Sequence, residues 1–417
     1  MKQKNPVSVF SLHNGIRVVH RRHRQTPIAH VGLFIGAGAR DEHPGNNGIA
    51  HFIEHAVFKG TRKRKAFHIL NRMEAVGGEL NAFTTRDLTG FYTAGFKKYT
   101  ERAIELLADL VFNPLFVEKE LENERRVILE ELEMYEDSPE ESIFDDFFAE
   151  MYPAHPLGYN ILGTRKTLAA CRREDLLRFV QEQYAPERIV LSVVGNMQPD
   201  RVHQLAEKYL GGLPAHCEAP VRQAPPPYVP FRKEKTLDFV QTHLLQGTRT
   251  FGRFDRQKYA LALLDNVLGG SGMSSRLNML IREKHGLSYH VATGIDLFED
   301  TGLFHLYLGT DIRYLAKVRK LVNQEIARIC DKPLPVQALN QAKRQLLGQL
   351  AMMEESPSMQ MQVQAKNLLH HNRVLTDEEV IDQIEEVSAQ NLRALAVDVL
   401  ASERWSEMLY VGETSHG

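Results

Sequence analysis

From residue 69 onward the spacing of apolar residues changes period twice. Ile69, Leu70, Met73 and Val76 recur at helical intervals and stop at Gly77-Gly78. Leu80 to Thr85, and then Thr89-Gly90-Phe91-Tyr92-Thr93, carry the text of strands, and an amphipathic helix begins near Tyr99. The same succession returns later in the chain. Leu277, Leu280 and Ile281 mark a helix that stops at Gly286, strand text runs into Thr301-Gly302-Leu303-Phe304-His305, and another helix begins near Tyr314. Strands come early and long helices late in each half, which predicts antiparallel sheets with helices on one face. The expected fold is therefore α+β: two homologous halves, each a mostly antiparallel sheet with helices packed on one face. Between them stand Pro214, Pro220, Pro225, Pro226, Pro227 and Pro230 with few large apolar residues. That stretch predicts an extended, proline-rich linker over 211–238, dividing a first half, 1–210, from a second, 239–417.

Composition narrows the function classes. A chain of 417 residues exceeds one ordinary core, in keeping with two domains. Its hydrophobic fraction of 43% and charged fraction of 25% are those of a globular protein, which excludes a disordered or fibrous one. A net charge of -2 gives no general attraction to nucleic acid or anionic lipid, and the short basic run Lys59–Lys65 reads as a solvated loop. Cys171, Cys217 and Cys330 are far apart and odd in number, so neither a disulfide framework nor a cysteine metal site follows. The opening MKQKNPVSVF lacks the apolar stretch of a secretory signal, and runs such as Ile189–Gly195 are too short to span a membrane. The expectation is a soluble, cytoplasmic protein with no nucleic-acid and no membrane partner.

The chemistry is concentrated in His51-Phe52-Ile53-Glu54-His55. Residues four apart share one face of a helix, so two imidazoles can converge on a single ion. Glu54 falls on the flank of that face, where a carboxylate could take a proton from a water at the ion. Zinc is the metal that suits such a site, because it acidifies bound water towards neutrality and polarises a carbonyl. Ile49, Phe52, Ile53 and Ala56 supply the apolar stripe of the helix, and Asn46-Asn47-Gly48 the capping and turn residues before it. A catalytic zinc usually takes three protein ligands and leaves one position open. The source of the third is the acidic helix over 120–136, with Glu120, Glu122, Glu124, Glu130, Glu131, Glu133 and Glu136. Val127, Ile128 and Leu132 mark its buried stripe, and Glu124 and Glu131 share a flank of it. Spacing does not choose among these carboxylates.

His51–His55, followed 76 positions later by Glu131 within Glu124-Arg125-Arg126-Val127-Ile128-Leu129-Glu130-Glu131, resembles the pitrilysin family, the M16 metallopeptidases. The likeness is to its short bacterial branch, similar to the mitochondrial processing peptidase. It runs the length of the chain, from Asn14-Gly15-Ile16-Arg17 through Gly163-Thr164 to the second half. It implies one Zn2+ per chain with Glu131 as third ligand beside His51 and His55, Glu54 as catalytic base, and Glu124 as a carboxylate that orients the site. It implies further that Asn81, Ala82 and Phe83 lie on an edge strand that pairs with the backbone of a peptide substrate.

In the second half the resemblance implies that Arg282 and Tyr289 bind substrate carbonyls and stabilise the oxyanion of the tetrahedral intermediate; both are donors. Gly269-Gly270-Ser271-Gly272-Met273-Ser274-Ser275-Arg276 stands where a second metal motif would be, so only the first half carries metal. Chains of this length in the family build a clamshell from two subunits, which implies a homodimer with Arg282 and Tyr289 acting in trans. Glu141 and Asp145 resemble the acidic pair by which processing peptidases hold a basic residue near the cleavage point. Locally, Ser138-Pro139-Glu140-Glu141 also reads as a capping box, which would occupy Glu141 without function. The resulting expectation is a zinc metalloendopeptidase that hydrolyses peptides or unfolded segments. Its rival is a non-catalytic structural subunit of a processing or respiratory-type complex, against which stands the intact set His51, Glu54, His55 and Glu131.

Overall fold

A computed structural model describes residues 7–213 and 220–412. The opening segment 1–6, Pro214 and Cys217 lie outside the described residues. The first sheet consists of β1 (Val7–Ser11), β2 (Arg17–Arg22), β3 (Ile28–Ile35), β4 (Glu79–Thr84), β5 (Thr89–Phe96) and β6 (Ile189–Gly195), in the order β1-β2-β6-β3-β5-β4. The second consists of β7 (Arg232–Leu237), β8 (Thr242–Thr250), β9 (His290–Leu297), β10 (Gly302–Thr310) and β11 (Ser406–Gly412), in the order β7-β11-β8-β10-β9. Neighbouring strands are antiparallel except β2 with β6 and β7 with β11. With β1 set aside, the two sheets match strand for strand, and the parallel pair falls at the same place in each. The repeat of periods along the sequence is thus a repeat of topology.

Five helices of the first part of the chain matter below: α1 (Ile49–Ala56), α2 (Ala66–Glu74), α3 (Thr100–Phe112), α4 (Glu118–Glu136) and α5 (Pro139–Met151). Phe52 and Ile53 of α1, Ile104 and Leu107 of α3, and Ile128 of α4 share one buried cluster with Val31, Leu33 and Phe91 of the first sheet. That is the face on which helices are expected. In the second sheet Leu244, Phe304 and Leu306 pack likewise with Leu261 and Leu264 and with Val318 and Val322, from the helices Lys258–Leu268 and Leu315–Asp331.

The opposite faces are covered by an exchange that periodicity does not reveal. Val19, Phe34, Val190 and Val194 of the first sheet are buried under Met361, Ala365 and Leu368 of the helix Pro357–His371. The Ser192 hydroxyl donates to the Met361 carbonyl at 2.8 Å. Leu245, Leu303, Tyr307 and Met408 of the second sheet are buried under Ile143, Phe147 and Phe148 of α5. The compact units are therefore interleaved. One gathers the described residues of 1–133, 159–223 and 352–375, the other those of 134–158, 224–351 and 376–412. This explains the largely apolar run of β6, all of whose residues are buried and whose one hydroxyl, on Ser192, is hydrogen-bonded: both faces of a strand covered on two sides favour apolar residues.

The boundaries expected from the sequence change accordingly. A single division into 1–210 and 239–417 does not follow the packing, and the C-terminal end of the expected linker is strand β7, paired with β11. The polar text Arg232-Lys233-Glu234-Lys235 conceals it, because β7 is an exposed edge strand hydrogen-bonded on one side only. The linker is fastened at Arg222. Arg222 donates to Asp41 through Nε at 3.0 Å and Nη2 at 2.7 Å, and to the Gly36 carbonyl at 3.0 Å. Cys171 and Cys330 are free thiols. Among the described residues no helix is long and apolar enough to cross a membrane.

Leu368 is almost fully buried against the first sheet, so Leu368→Ala removes a filled contact on that face. The expected loss is about 2–5 kcal/mol, read as a lower urea midpoint. An unchanged midpoint would contradict the packing of this late helix on the early strands.

Candidate metal centre

The start of α1 is built by residues from several loops. Gly48 precedes the helix with φ +91°, a left-handed conformation that favours glycine. A Cβ there would also come within 2.6 Å of the Leu162 carbonyl and of Gly163 Cα. The Asn46 carbonyl accepts the Ile49 N–H at 3.1 Å. Since Gly48 has no side chain to cap the helix, a buried carboxylate from upstream serves instead. Glu42 accepts from Ala50 N at 2.9 Å on Oε1, and from Gly48 N at 2.8 Å and Asn47 Nδ2 at 2.9 Å on Oε2. Burial pushes the Glu42 carboxyl up to about 8, while the three donors pull it the other way.

The apolar stripe of α1 faces the core and leaves His51 and His55 together on the other side, with ring centroids 4.6 Å apart. Both meet Glu131 of α4: Oε2 of Glu131 lies 3.8 Å from His51 Nε2 and 3.6 Å from His55 Nε2. One ligand atom from each residue lies within 4.8 Å of the others, and this is the group of His, Cys, Asp and Glu among the described residues that could hold a metal ion. Ligands at about 2.0–2.1 Å in tetrahedral array around zinc stand roughly 3.4 Å apart. The two imidazole spacings to Glu131 come within about 0.4 Å of that value.

The protonation state of His51 favours the same use. Burial, with the neighbouring His55, lowers the His51 pKa to about 3, so that imidazole is neutral and has a lone pair to give. Burial also acts to lower His55. The hydrogen bond from its Nδ1 to Glu124 Oε2 at 3.2 Å, with the charges of Glu131 and Glu54, outweighs burial and raises it. Glu124 is buried and bonded on its other oxygen to Lys59 Nζ at 2.6 Å. Burial acts to raise Glu124, but His55 and Lys59 hold it below the ordinary carboxylate value. An imidazole whose far nitrogen faces a carboxylate is oriented with its other nitrogen free for an ion. Glu54 is raised by burial and by Glu131, and lowered by the Thr84 hydroxyl and His55.

The structure therefore brings His51, Glu54, His55, Glu124 and Glu131 together within one unit. Among the acidic residues of α4, Glu122, Glu130, Glu133 and Glu136 are solvent-exposed, whereas Glu124 is buried and Glu131 half-buried. Asn81, Ala82 and Phe83 lie on β4, paired with Tyr92, Phe91 and Gly90 of β5, and among the described residues the other side of β4 has no strand. The same strand ends in Thr84, beside Glu54.

The remaining expected residues belong to the second unit. Arg282 is exposed, its Nε 3.5 Å from Glu283, and Tyr289 is 87% exposed, so it is not a core tyrosine. Glu141 and Asp145 are on α5. The capping box expected at its start does not form: the Ser138 side chain makes no capping bond, and the Ser138 N–H is taken by the Tyr135 carbonyl.

Lys59, Thr84 and Glu42 escape the reading by motif. Lys59 belongs to the basic run read as a solvated loop, yet it pairs with a buried carboxylate. Thr84 lies within the strand text. Glu42 has only its place before Asn47-Gly48 as a signal.

Two family models match in succession: the insulinase model of peptidase family M16 over residues 17–165, and the M16 inactive-domain model over 170–346. The uncharacterised zinc protease YmxG of Bacillus subtilis is 33% identical over 390 residues, covering 93% of this chain and 94% of its own. An uncharacterised zinc protease of Mycobacterium leprae is 34% identical over 397 residues, covering 94% of this chain and 88% of its own. Among solved structures, a protease from Helicobacter pylori superposes with a TM-score of 0.89 at 21% identity, covering 98% of this chain and 99% of that one. A Pseudomonas fluorescens structure described as a peptidase M16 inactive domain gives 0.91 at 20% identity, covering 99% of each chain. With family models over both halves and relatives of this identity along nearly its whole length, the chain belongs to peptidase family M16.

Proposed function

We propose that this protein is a zinc-dependent endopeptidase that hydrolyses peptides or unfolded segments, with one Zn2+ held by His51, His55 and Glu131. The observation that carries the reading is the convergence of those three donors, with Glu54 half-buried on the same helix as the two imidazoles. The zinc-protease names of its relatives support the choice of metal. Bound there, zinc would supply a Lewis acid for the scissile carbonyl and acidify a water. Glu54 takes the proton of the attacking water and delivers it to the leaving amine. Its raised pKa brings it nearer to neutrality, where a group that both accepts and donates works best. Glu124, braced by Lys59, holds His55 in the orientation its role requires.

The free side of β4 receives the substrate as an added strand through Asn81, Ala82 and Phe83. Main-chain bonds there make little demand on side chains, which suits a peptidase of broad range. Arg282 and Tyr289 stabilise the oxyanion. The protein acts as a cytoplasmic homodimer in which this pair serves the partner subunit's zinc site. Glu141 and Asp145 form a pocket for a basic residue near the scissile bond, a role that the unformed capping box leaves open to Glu141.

Glu54→Gln should keep stoichiometric zinc by elemental analysis and lose about 10²–10⁴-fold in kcat on a quenched peptide. Substantial residual turnover would remove Glu54 as the base. Glu54→Gln and Arg282→Ala chains, each inactive alone, should regain activity when assembled into mixed dimers, each mixed dimer holding one complete site. Mixed dimers without activity would remove the action in trans. Cleavage of a mixed peptide library should be abolished by a chelator and enriched for Arg or Lys near the cut; an even residue profile would count against Glu141 and Asp145 as a pocket.

A further inference from the structure

The two imidazoles of the metal centre are braced differently. His55 Nδ1 is bonded to Glu124. His51 Nδ1 is buried and has no hydrogen-bond partner among the described residues. No side chain therefore fixes the His51 ring through its far nitrogen, and its heading depends on the backbone that carries it. That backbone is the first turn of α1, where His51 is the third residue after Gly48. First turns are the weakest part of a helix, because their N–H groups lack intrahelical acceptors. Here the Ala50 and Gly48 N–H groups are taken by Glu42, which is 2% exposed and nine residues upstream of His51.

Glu42 is itself held from several sides. Its N–H donates to the Ala39 carbonyl at 3.3 Å. Its neighbour Asp41 accepts from Gly38 N at 2.9 Å, from Arg188 at 2.7 Å and from Arg222 at 2.7 Å. Asn47, which donates to Glu42, also donates to the Asn160 carbonyl at 2.8 Å. The loop before the metal helix is thus anchored to Arg188 ahead of β6, to the 160s loop and to Arg222 of the linker.

We infer that Glu42 is a positioning residue for the metal centre, setting the direction of His51 through the first turn of α1 as Glu124 sets that of His55 through its ring. Both Glu42 oxygens accept from protein donors, an arrangement that a carboxylate satisfies at every contact. A glutamine of the same shape cannot do this. Whichever oxygen becomes NH2 then faces an N–H donor, Ala50 on one side or Gly48 and Asn47 on the other. Glu42→Gln therefore loosens the turn while leaving Glu131, Glu124 and His55 in place.

The inference rests on His51 being a zinc ligand, and the test separates the two ideas. Zinc affinity of the full-length chain is measured by competition with a chelator of known affinity, for the wild type, His51→Ala, Glu42→Gln and the double variant. Glu42→Gln should weaken zinc binding about 10-fold or more, the scale on which residues behind metal ligands act. In the His51→Ala background the same change should have almost no further effect, because its route to the ion is gone. Unchanged zinc affinity in folded Glu42→Gln, or equal losses in both backgrounds, would overturn the positioning role. Unchanged affinity in His51→Ala would instead overturn the metal site itself. Should Glu42→Gln fail to fold, Glu42→Asp replaces it: the charge stays but is one methylene too short to reach both sides of the turn. Wild-type zinc affinity in that variant would equally overturn the role.

Discussion

Two helices that approach side by side can carry a divalent ion between them only if three donor atoms stand within a few ångströms and the surrounding charges are balanced. In this protein α1 and α4 meet in that way. The apolar stripe of each turns towards the same sheet, so the faces left over look at one another. Two imidazoles on one side and one carboxylate on the other then fall within 4.8 Å. The buried carboxylate of Glu124 would be costly on its own, and it is held between His55 and the Lys59 ammonium. The first unit can be seen as what is needed to keep these two helices at this separation: the strands beneath them, the loop that caps α1, and the basic side chain that neutralises the second carboxylate.

The sequence makes some of this legible. Residue spacing is enough to place His51, Glu54 and His55 on one helix, because a helix converts positions into angles. It is not enough to choose Glu131 from the carboxylates of α4. That choice depends on which side of α4 meets α1, a tertiary fact that periodicity within one helix cannot encode; family likeness implies it, and Glu131 lies beside both imidazoles. Glu42 is hidden for a related reason. A residue that caps a helix from outside bears no fixed offset to it, so no short pattern announces it.

The fold shows the same division. Changes of apolar period reveal the two α+β halves, but the order of strands within each sheet is a tertiary fact that they do not carry. The exchanged helices are invisible, because Ile143, Phe147 and Phe148 show that α5 has an apolar face but not which sheet that face will cover. Strand β7 escapes the periodicity because an exposed edge strand can be polar at almost every position. The box expected at Ser138 failed because the chain comes straight out of α4, whose last turn, at Tyr135, claims the N–H that the box would have used.

The exchange also bears on how the chain can come into being. As a ribosome extends the polypeptide, every strand of the first sheet has emerged once residue 195 is out. The residues that seal its far face begin only at 357. Through the synthesis of the intervening stretch, Val19, Phe34, Val190 and Val194 lack their permanent cover, so the N-terminal sheet cannot be finished co-translationally as a self-contained piece. Severing the polypeptide at its proline-rich middle would leave the same apolar surface bare. By this trade of helices the two similar halves no longer part at that point.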